Sequence, residues 1–287
     1  MRWMGKDETG GNFFIEMGGG IVPIPLPNPK NKLKDTTAYL IGTGPSLNKI
    51  DMSKLKDKRT ITFNRAYVAF EDWGFEPSYY LSIDSEDIKS TYKDVNKLIK
   101  SSNIEKFFLP HGIQHDPEFE GKRFVSNEKV NFMIQVGGLW NGLMPMSHRI
   151  EIPTAESDLI VTPILSNAGY MGLKMLYWMG YEEVALLGCD ARYTLNKDTE
   201  RSIEYTEDGC LSHEDYDPNH FRDDYFGKGQ RFGRPNEEDQ IRLWNLAANE
   251  IAGMKLPIKV YSCSEGSNLN DMFPYVDFED FINGKRE

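Results

Sequence analysis

The sequence predicts an α/β fold: a doubly wound, mostly parallel, Rossmann-like sheet with an inserted lid. Three observations predict it. Short apolar runs alternate with stretches of helical spacing, the pattern of parallel strands joined by crossover helices. Each run ends in glycine or polar residues, where a strand passes into a loop. The first run leads straight into Gly42-Thr43-Gly44-Pro45-Ser46.

The elements follow in order. Thr37-Ala38-Tyr39-Leu40-Ile41 is an apolar run closed by Gly42, a buried-strand signal. Ile61-Thr62-Phe63, Tyr79 to Ile83 and Lys106 to Leu109 repeat it, ending in Asn64, Asp84 and Pro110-His111-Gly112. Ser166-Asn167-Ala168-Gly169 opens a helix that runs to about Met179, with Met171, Lys174, Met175 and Trp178 at helical spacing and Gly180 as its stop. Glu183 to Leu187 is a strand ending in Gly188-Cys189-Asp190. Residues 194–236 are long, polar and rich in acids and aromatics, the profile of an active-site lid. A helix over 237–252, a strand over 258–262 and a helix over 278–282 complete the chain.

Residues 1–35 are expected to be a Gly/Pro-rich arm. Pro23, Pro25, Pro27 and Pro29 suit an extended path, and Phe13-Phe14-Ile15 is a candidate anchor for a flap. Residues 36–287 read as one nucleotide-binding domain, with the lid at 194–236.

Composition narrows the function. Lys plus Arg is 33 and Asp plus Glu is 44, a net charge of −11 over 287 residues. That lacks the basic footprint of a nucleic-acid binder and disfavours an anionic membrane surface. Hydrophobic residues at 39% suffice for a core, and no run is long enough to span a membrane. Cys189, Cys210 and Cys263 are an odd set with no metal-ligand spacing. With no apolar leader after Met1, the expected compartment is the cytoplasm. Oligomeric state stays open, a homo-oligomer included.

The chemistry-bearing positions gather at predicted strand ends, where open parallel sheets bind ligands. Gly42, Thr43, Gly44, Pro45 and Ser46 form a turn whose amides and hydroxyl either cradle a phosphate or simply make a tight turn. Leu47 stands where a dinucleotide fingerprint has its third glycine, which weakens an NAD reading. Asn64 and Asp84 either contact a nucleotide or cap loops, and Asp84-Ser85-Glu86 and Asp190 are the alternative metal ligands. Ser166, Asn167 and Ala168 place a second helix start on the same face. Of the five histidines, His111, His115 and His148 have no evident partner, while His213 and His220 lie in the lid with Tyr216, Tyr225 and Lys228. The acids Glu214, Asp215, Asp217, Asp223 and Asp224 read as a solvated face.

Ile41-Gly-Thr-Gly-Pro-Ser-Leu47, Ile50-Asp51 and Phe63-Asn-Arg-Ala-Tyr67 resemble the opening of the bacterial sialyltransferases of glycosyltransferase family 42. Ser166-Asn-Ala-Gly-Tyr-Met171 and Met179 through Asp190 resemble their central helix and following strand. The same blocks resemble the hydroxymethylpterin diphosphokinase-like family, to which His220-Phe-Arg-Asp-Asp-Tyr225-Phe-Gly-Lys228 is more similar. Many members of that family are thought to be sugar transferases.

The resemblance implies nucleotide contacts at Gly42, Gly44, Ser46 and Asn64, and a donor contact at Asn167 and Ala168. It also implies lid tyrosines that steady a leaving phosphate, Tyr225 foremost and Tyr193 as a second. The sialyltransferase base is a histidine where Lys228 stands here. With an ordinary pKa of about 10.4, a lysine serves better as a phosphate clamp. His220 is then the expected base.

The leading expectation is therefore a sialyltransferase-like enzyme that moves a sugar from a nucleotide-sugar, a CMP-sugar among the candidates, to the hydroxyl of a small molecule or glycan. It needs no cofactor. The alternatives are ATP- and Mg2+-dependent pyrophosphoryl transfer to a pterin alcohol, and a nucleotide-binding module without chemistry.

Overall fold

The computed structural model describes residues 2–6, 12–16, 36–83, 85–111, 123–136, 150–152, 159–163, 167–194, 201–207 and 209–287. Its centre is a nine-stranded sheet. The strands are β3 (Thr37–Ile41), β4 (Thr60–Phe63), β5 (Tyr79–Leu81), β6 (Lys106–Pro110), β7 (Val130–Val136), β8 (Ile150–Ile152), β9 (Leu159–Pro163), β10 (Glu183–Leu187) and β14 (Lys259–Ser262). Their spatial order is β14-β10-β3-β4-β5-β6-β7-β9-β8. Every neighbouring pair is parallel except β8 with β9. The predicted fold class holds, and β3, β4, β5, β6, β10 and β14 stand where strands were expected.

The period-two rule builds the two layers. Tyr39 and Ile41 of β3 point into one core, with Tyr80, Phe107 and Leu109. Ala38 and Leu40 point into the other, with Leu81, Phe108, Val184 and Leu186. A sheet buried on both faces must be apolar on both, which is why these strands read as continuous runs and not as alternations.

The first core lies among β-strands, α1 (Phe70–Trp73), α2 (Ser85–Ser101) and α5 (Phe278–Ile282). The second is covered by α3 (Ala168–Trp178) and α4 (Glu237–Gly253). All eleven residues of α3 are buried, so it is an interior helix and carries no polar face. Fully burying each large apolar side chain contributes about 1.5–3 kcal/mol.

β3 and β10 are adjacent, but the chain reaches them from opposite directions. From β3 it steps outward through β4, β5 and β6; it later returns to lay β10 on the other side of β3. This reversal leaves a crevice at the carboxyl ends of the two strands, the usual ligand site of such sheets.

Two smaller sheets stand apart. β1 (Arg2–Lys6) pairs antiparallel with β2 (Asn12–Glu16), which carries Phe13, Phe14 and Ile15. β1 lies against β8, on the edge of the main sheet remote from β14. The proline run at 23–29 falls outside the described residues. Within the predicted lid, β11 (Ile203–Thr206), β12 (Gly209–Ser212) and β13 (Arg231–Phe232) form an antiparallel sheet. The segment is more than a polar loop, since Phe221 and Tyr225 belong to the first core. Among the described residues no helix is long and apolar enough to cross a membrane.

Candidate active site

The crevice is shaped by two loops that touch. Gly42 donates its amide to the Leu187 carbonyl at 2.6 Å, and Gly44 donates to Gly188 at 2.8 Å. A Cβ on Gly42 would collide with the Gly188 carbonyl, and one on Gly44 would lie 2.5 Å from Asp190 Oδ2. Gly188 itself has φ +61°, a left-handed conformation suited to glycine. These glycines therefore permit loop-on-loop contact.

This corrects the phosphate-cradle expectation for Pro45 and Ser46. The turn after Gly44 is a five-residue 3-10 helix, Pro45–Lys49. Its donors are already used: the Ser46 amide donates to Asp190 Oδ2 at 2.9 Å, and the Ser46 hydroxyl donates to Asp190 Oδ1. An internal carboxylate occupies the position an incoming anion would need. Gly42, Pro45 and Ser46 do not line the cavity, whereas Thr43, Gly44 and Asp190 do.

The cavity itself, of about 620 Å³, extends from this crevice between α3 and the lid. Asn64, at the end of β4, sits in the left-handed region with φ +52° and faces it. Its carbonyl accepts from the Tyr80 hydroxyl at 2.6 Å, and its Oδ1 is buried without a hydrogen-bond partner among the described residues. Asn167 caps α3: its Oδ1 accepts from the Tyr170 amide at 2.9 Å. Its Nδ2 is buried without a partner among the described residues. One amide acceptor and one amide donor thus border the cavity unspent, an arrangement that costs free energy until a ligand or water satisfies it.

Ala168 lines the cavity beside Asn167, at the first turn of α3, where helix amides have no intrahelical acceptor. Tyr193 also lines it; its amide donates to Glu237 Oε2 at 2.8 Å, and its hydroxyl accepts from Gln240. Cys189 borders it too, with a thiol that burial pushes far above the ordinary range and keeps unreactive. Asp84 and Ser166 lie outside the described residues.

The lid contributes His220. Its Nδ1 lies 2.9 and 2.8 Å from the two Asp217 carboxylate oxygens. Its ring stacks flat on Tyr225, with centroids 4.1 Å apart and planes 6° apart, and stands perpendicular to the Phe226 ring with centroids 5.0 Å apart. The side chains of His220 and Asp217 are 16% and 8% exposed, and both residues line the cavity. Asp217 is therefore no part of a solvated acidic face. Its carboxylate also accepts from the amides of Asn219 and Phe226, at 3.1 and 3.3 Å.

Tyr225 is 1% exposed. Its hydroxyl accepts from the Arg65 amide at 3.2 Å, and burial holds its pKa well above the ordinary tyrosine value. The Tyr225 hydroxyl, expected to steady a departing phosphate, belongs to a residue that lines the cavity but is almost wholly buried, with its ring stacked on His220. The expected phosphate clamp, Lys228, stands apart from the cavity. It is exposed and donates its amide to Asp215 Oδ1 at 2.8 Å.

Positive charge at the cavity comes instead from Arg192 and Arg234, which the sequence reading missed. Arg192 donates to Asn268 Oδ1 at 3.2 Å, and Arg234 donates to the Thr206 carbonyl; among the described residues neither pairs with a carboxylate. His213 pairs with Glu204 at 2.9 Å on the exposed surface, away from the cavity. His111 packs edge-on against Phe132, and His115 and His148 lie outside the described residues. Among the described residues no three His, Cys, Asp or Glu side chains gather as a metal site.

No protein-family model matches the chain, and no curated protein matches it in sequence. Among solved structures it is similar to the sialyltransferase CstII from Campylobacter jejuni in complex with the substrate analogue CMP-3FNeuAc. Identity is 14% and the TM-score 0.39, over 83% of this chain and 85% of that one. The same sialyltransferase with cytidine-5'-monophosphate gives 12% and 0.29, over 83% and 84%. The MAf glycosyltransferase from Magnetospirillum magneticum AMB-1 gives 12% and 0.48, over 90% of this chain but 35% of that one. Likenesses at this level transfer no residue role.

Proposed function

We propose that this chain is a glycosyltransferase that moves a sugar from a nucleotide-sugar, with a CMP-sugar as the first candidate, to an acceptor hydroxyl. The observation that carries this reading is His220: a ring anchored at Nδ1, in a cavity at the switch point of a parallel sheet. The sequence resemblance of the glycine turn and of the Asn64 strand end supports the same class.

In this reading the nucleotide lies along Thr43, Gly44 and Asn64. Its phosphate lies near Asn167 Nδ2 and the first turn of α3, with Arg192 and Arg234 compensating its charge in an acidic protein. The acceptor hydroxyl hydrogen-bonds to His220 Nε2. As its oxygen forms the bond to the anomeric carbon, the bond from that carbon to the phosphate oxygen breaks. The phosphate leaves with the electron pair, and Nε2 takes the acceptor's proton. No cofactor enters these steps.

The test is a thermal-shift screen of cytidine, uridine, guanosine and adenosine nucleotides, each with and without Mg2+, followed by donor turnover. A cytidine-selective, metal-independent shift with sugar transfer supports the proposal. An ATP shift that requires Mg2+ replaces it with pyrophosphoryl transfer, for which Asp190 and Asp84 were the expected ligands. Binding without transfer from any donor reduces the chain to a nucleotide-binding module. His220→Ala is expected to abolish transfer while leaving the nucleotide shift intact.

A further inference from the structure

His220 and Asp217 are three residues apart, in Asp217-Pro218-Asn219-His220, yet their pairing is far more constrained than a local contact requires. Four observations bear on it. The Asp217 carboxylate is buried, 7% exposed. It is fixed by two backbone amides, those of Asn219 and Phe226. It meets His220 at Nδ1 with both oxygens. The imidazole lies flat on the Tyr225 ring, with Phe226 perpendicular beside the stack, and turning it over would cost the Nδ1 contact and replace it with a C–H.

An ionised carboxylate only accepts hydrogen bonds, so Nδ1 must carry the ring proton in this arrangement. A neutral imidazole has one N–H and one bare nitrogen. The bare one is then Nε2, for which the described residues supply no hydrogen-bond partner. We propose that Asp217 is a positioning residue: it holds His220 in the Nδ1–H tautomer and keeps Nε2 available as an acceptor at the cavity. Free imidazole side chains favour the opposite tautomer, so the carboxylate reverses the intrinsic preference. The logic is that of a histidine base oriented by a buried acid, reached here without a serine nucleophile. The mechanistic use of Nε2 rests on the proposed transferase reading, but the tautomer does not.

The experiment uses the full chain labelled with 15N-histidine. Long-range 1H–15N spectra are recorded at alkaline pH, where the rings are neutral. The His220 signals are identified by their loss in His220→Asn. The expected result is Nδ1–H for His220 in the wild type and a shift towards Nε2–H in Asp217→Asn and Asp217→Ala. Asp217→Asn preserves the volume and so remains informative if Asp217→Ala fails to fold. A wild-type His220 in the Nε2–H form, or a tautomer unchanged by a folded Asp217 variant, overturns the proposal.

Turnover separates this from a purely structural role. With a donor established by the nucleotide screen, Asp217→Asn is expected to lower kcat by roughly 10²-fold or more with KM little changed. Failure of every donor with the tautomer as expected defeats the transferase reading and leaves the positioning intact. The wrong tautomer in an active enzyme does the reverse.

Discussion

Arg65 and Tyr225 bind each other twice across 160 residues of sequence. The Arg65 guanidinium donates through Nε to the Tyr225 carbonyl at 2.6 Å, and the Arg65 amide donates to the Tyr225 hydroxyl at 3.2 Å. Arg65 also reaches Gln230 Oε1 at 3.1 Å, and Phe221 donates its amide to Thr43 at 2.9 Å. The lid that carries His220 is thereby fastened to the loops after β3 and β4.

Arg65→Ala removes the side-chain half of this fastening. Each lost charged hydrogen bond is worth about 1.5–3 kcal/mol. The melting temperature is expected to fall, and amide exchange over 209–232 to accelerate more than in β3 or β10. Uniform protection across all these segments would count against the fastening.

The contact between Gly42 and Gly188 predicts that Gly42→Ala is destabilising by about 1–3 kcal/mol, because its methyl meets backbone that cannot yield. Gly253 is the control. A Cβ there meets nothing within 4 Å and its φ is not positive, so Gly253→Ala is expected to be neutral or to stabilise by about 0.5–1 kcal/mol. Denaturant titration of both variants tests the pair.

Lys174 is fully buried in α3, and burial lowers its pKa to about 7, against a smaller raising influence from Glu250. The folded value lies below the unfolded one. Between about 7 and 10.5 the unfolded chain holds the proton and the folded chain releases it, so this group makes stability rise with pH across that window. The contribution is fully lost below the window. From pH 7 to 9.5 the gain is on the order of 2–3 kcal/mol. Lys174→Met should flatten that slope in denaturant titrations at the two pH values; an unchanged slope would show that another group sets it.

Asn167 separates capping from ligand contact. Asn167→Asp keeps the Oδ1 acceptor for the Tyr170 amide but replaces the buried Nδ2 donor with a carboxylate oxygen, so the cap survives while stability falls by about 1–3 kcal/mol. Its nucleotide-induced thermal shift should vanish. Asn167→Ala should lose about 1 kcal/mol as well, by removing the cap. A full nucleotide shift in Asn167→Asp would take Nδ2 out of the binding site.

What the sequence alone determined is local. Strands β3, β4, β5, β6 and β10 follow from short apolar runs, because a strand covered on both faces must be apolar on both, and the edge strand β14 follows from Ile258 to Ser262. The ends of α3 follow from Asn167 and Gly180 within a turn of the boundary. The glycine turn, Asn64, Asn167, Ala168, Asp190, Tyr193 and His220 were legible as strand-end, helix-start or lid positions.

The tertiary structure decided what each of them does. Asp190 meets Ser46 across 144 residues, and that pairing turns an expected phosphate cradle into an internal cap. Tyr225 and Lys228 are neighbours in sequence, yet one is sealed in the core and the other faces solvent. Asp217 looked like one acid among several; the stacked aromatics around His220 make it a buried, directed acceptor. Periodicity reports which residues avoid water, but a polar side chain's role depends on whether its partner reaches it before solvent does. That is set by which loops the sheet order brings together.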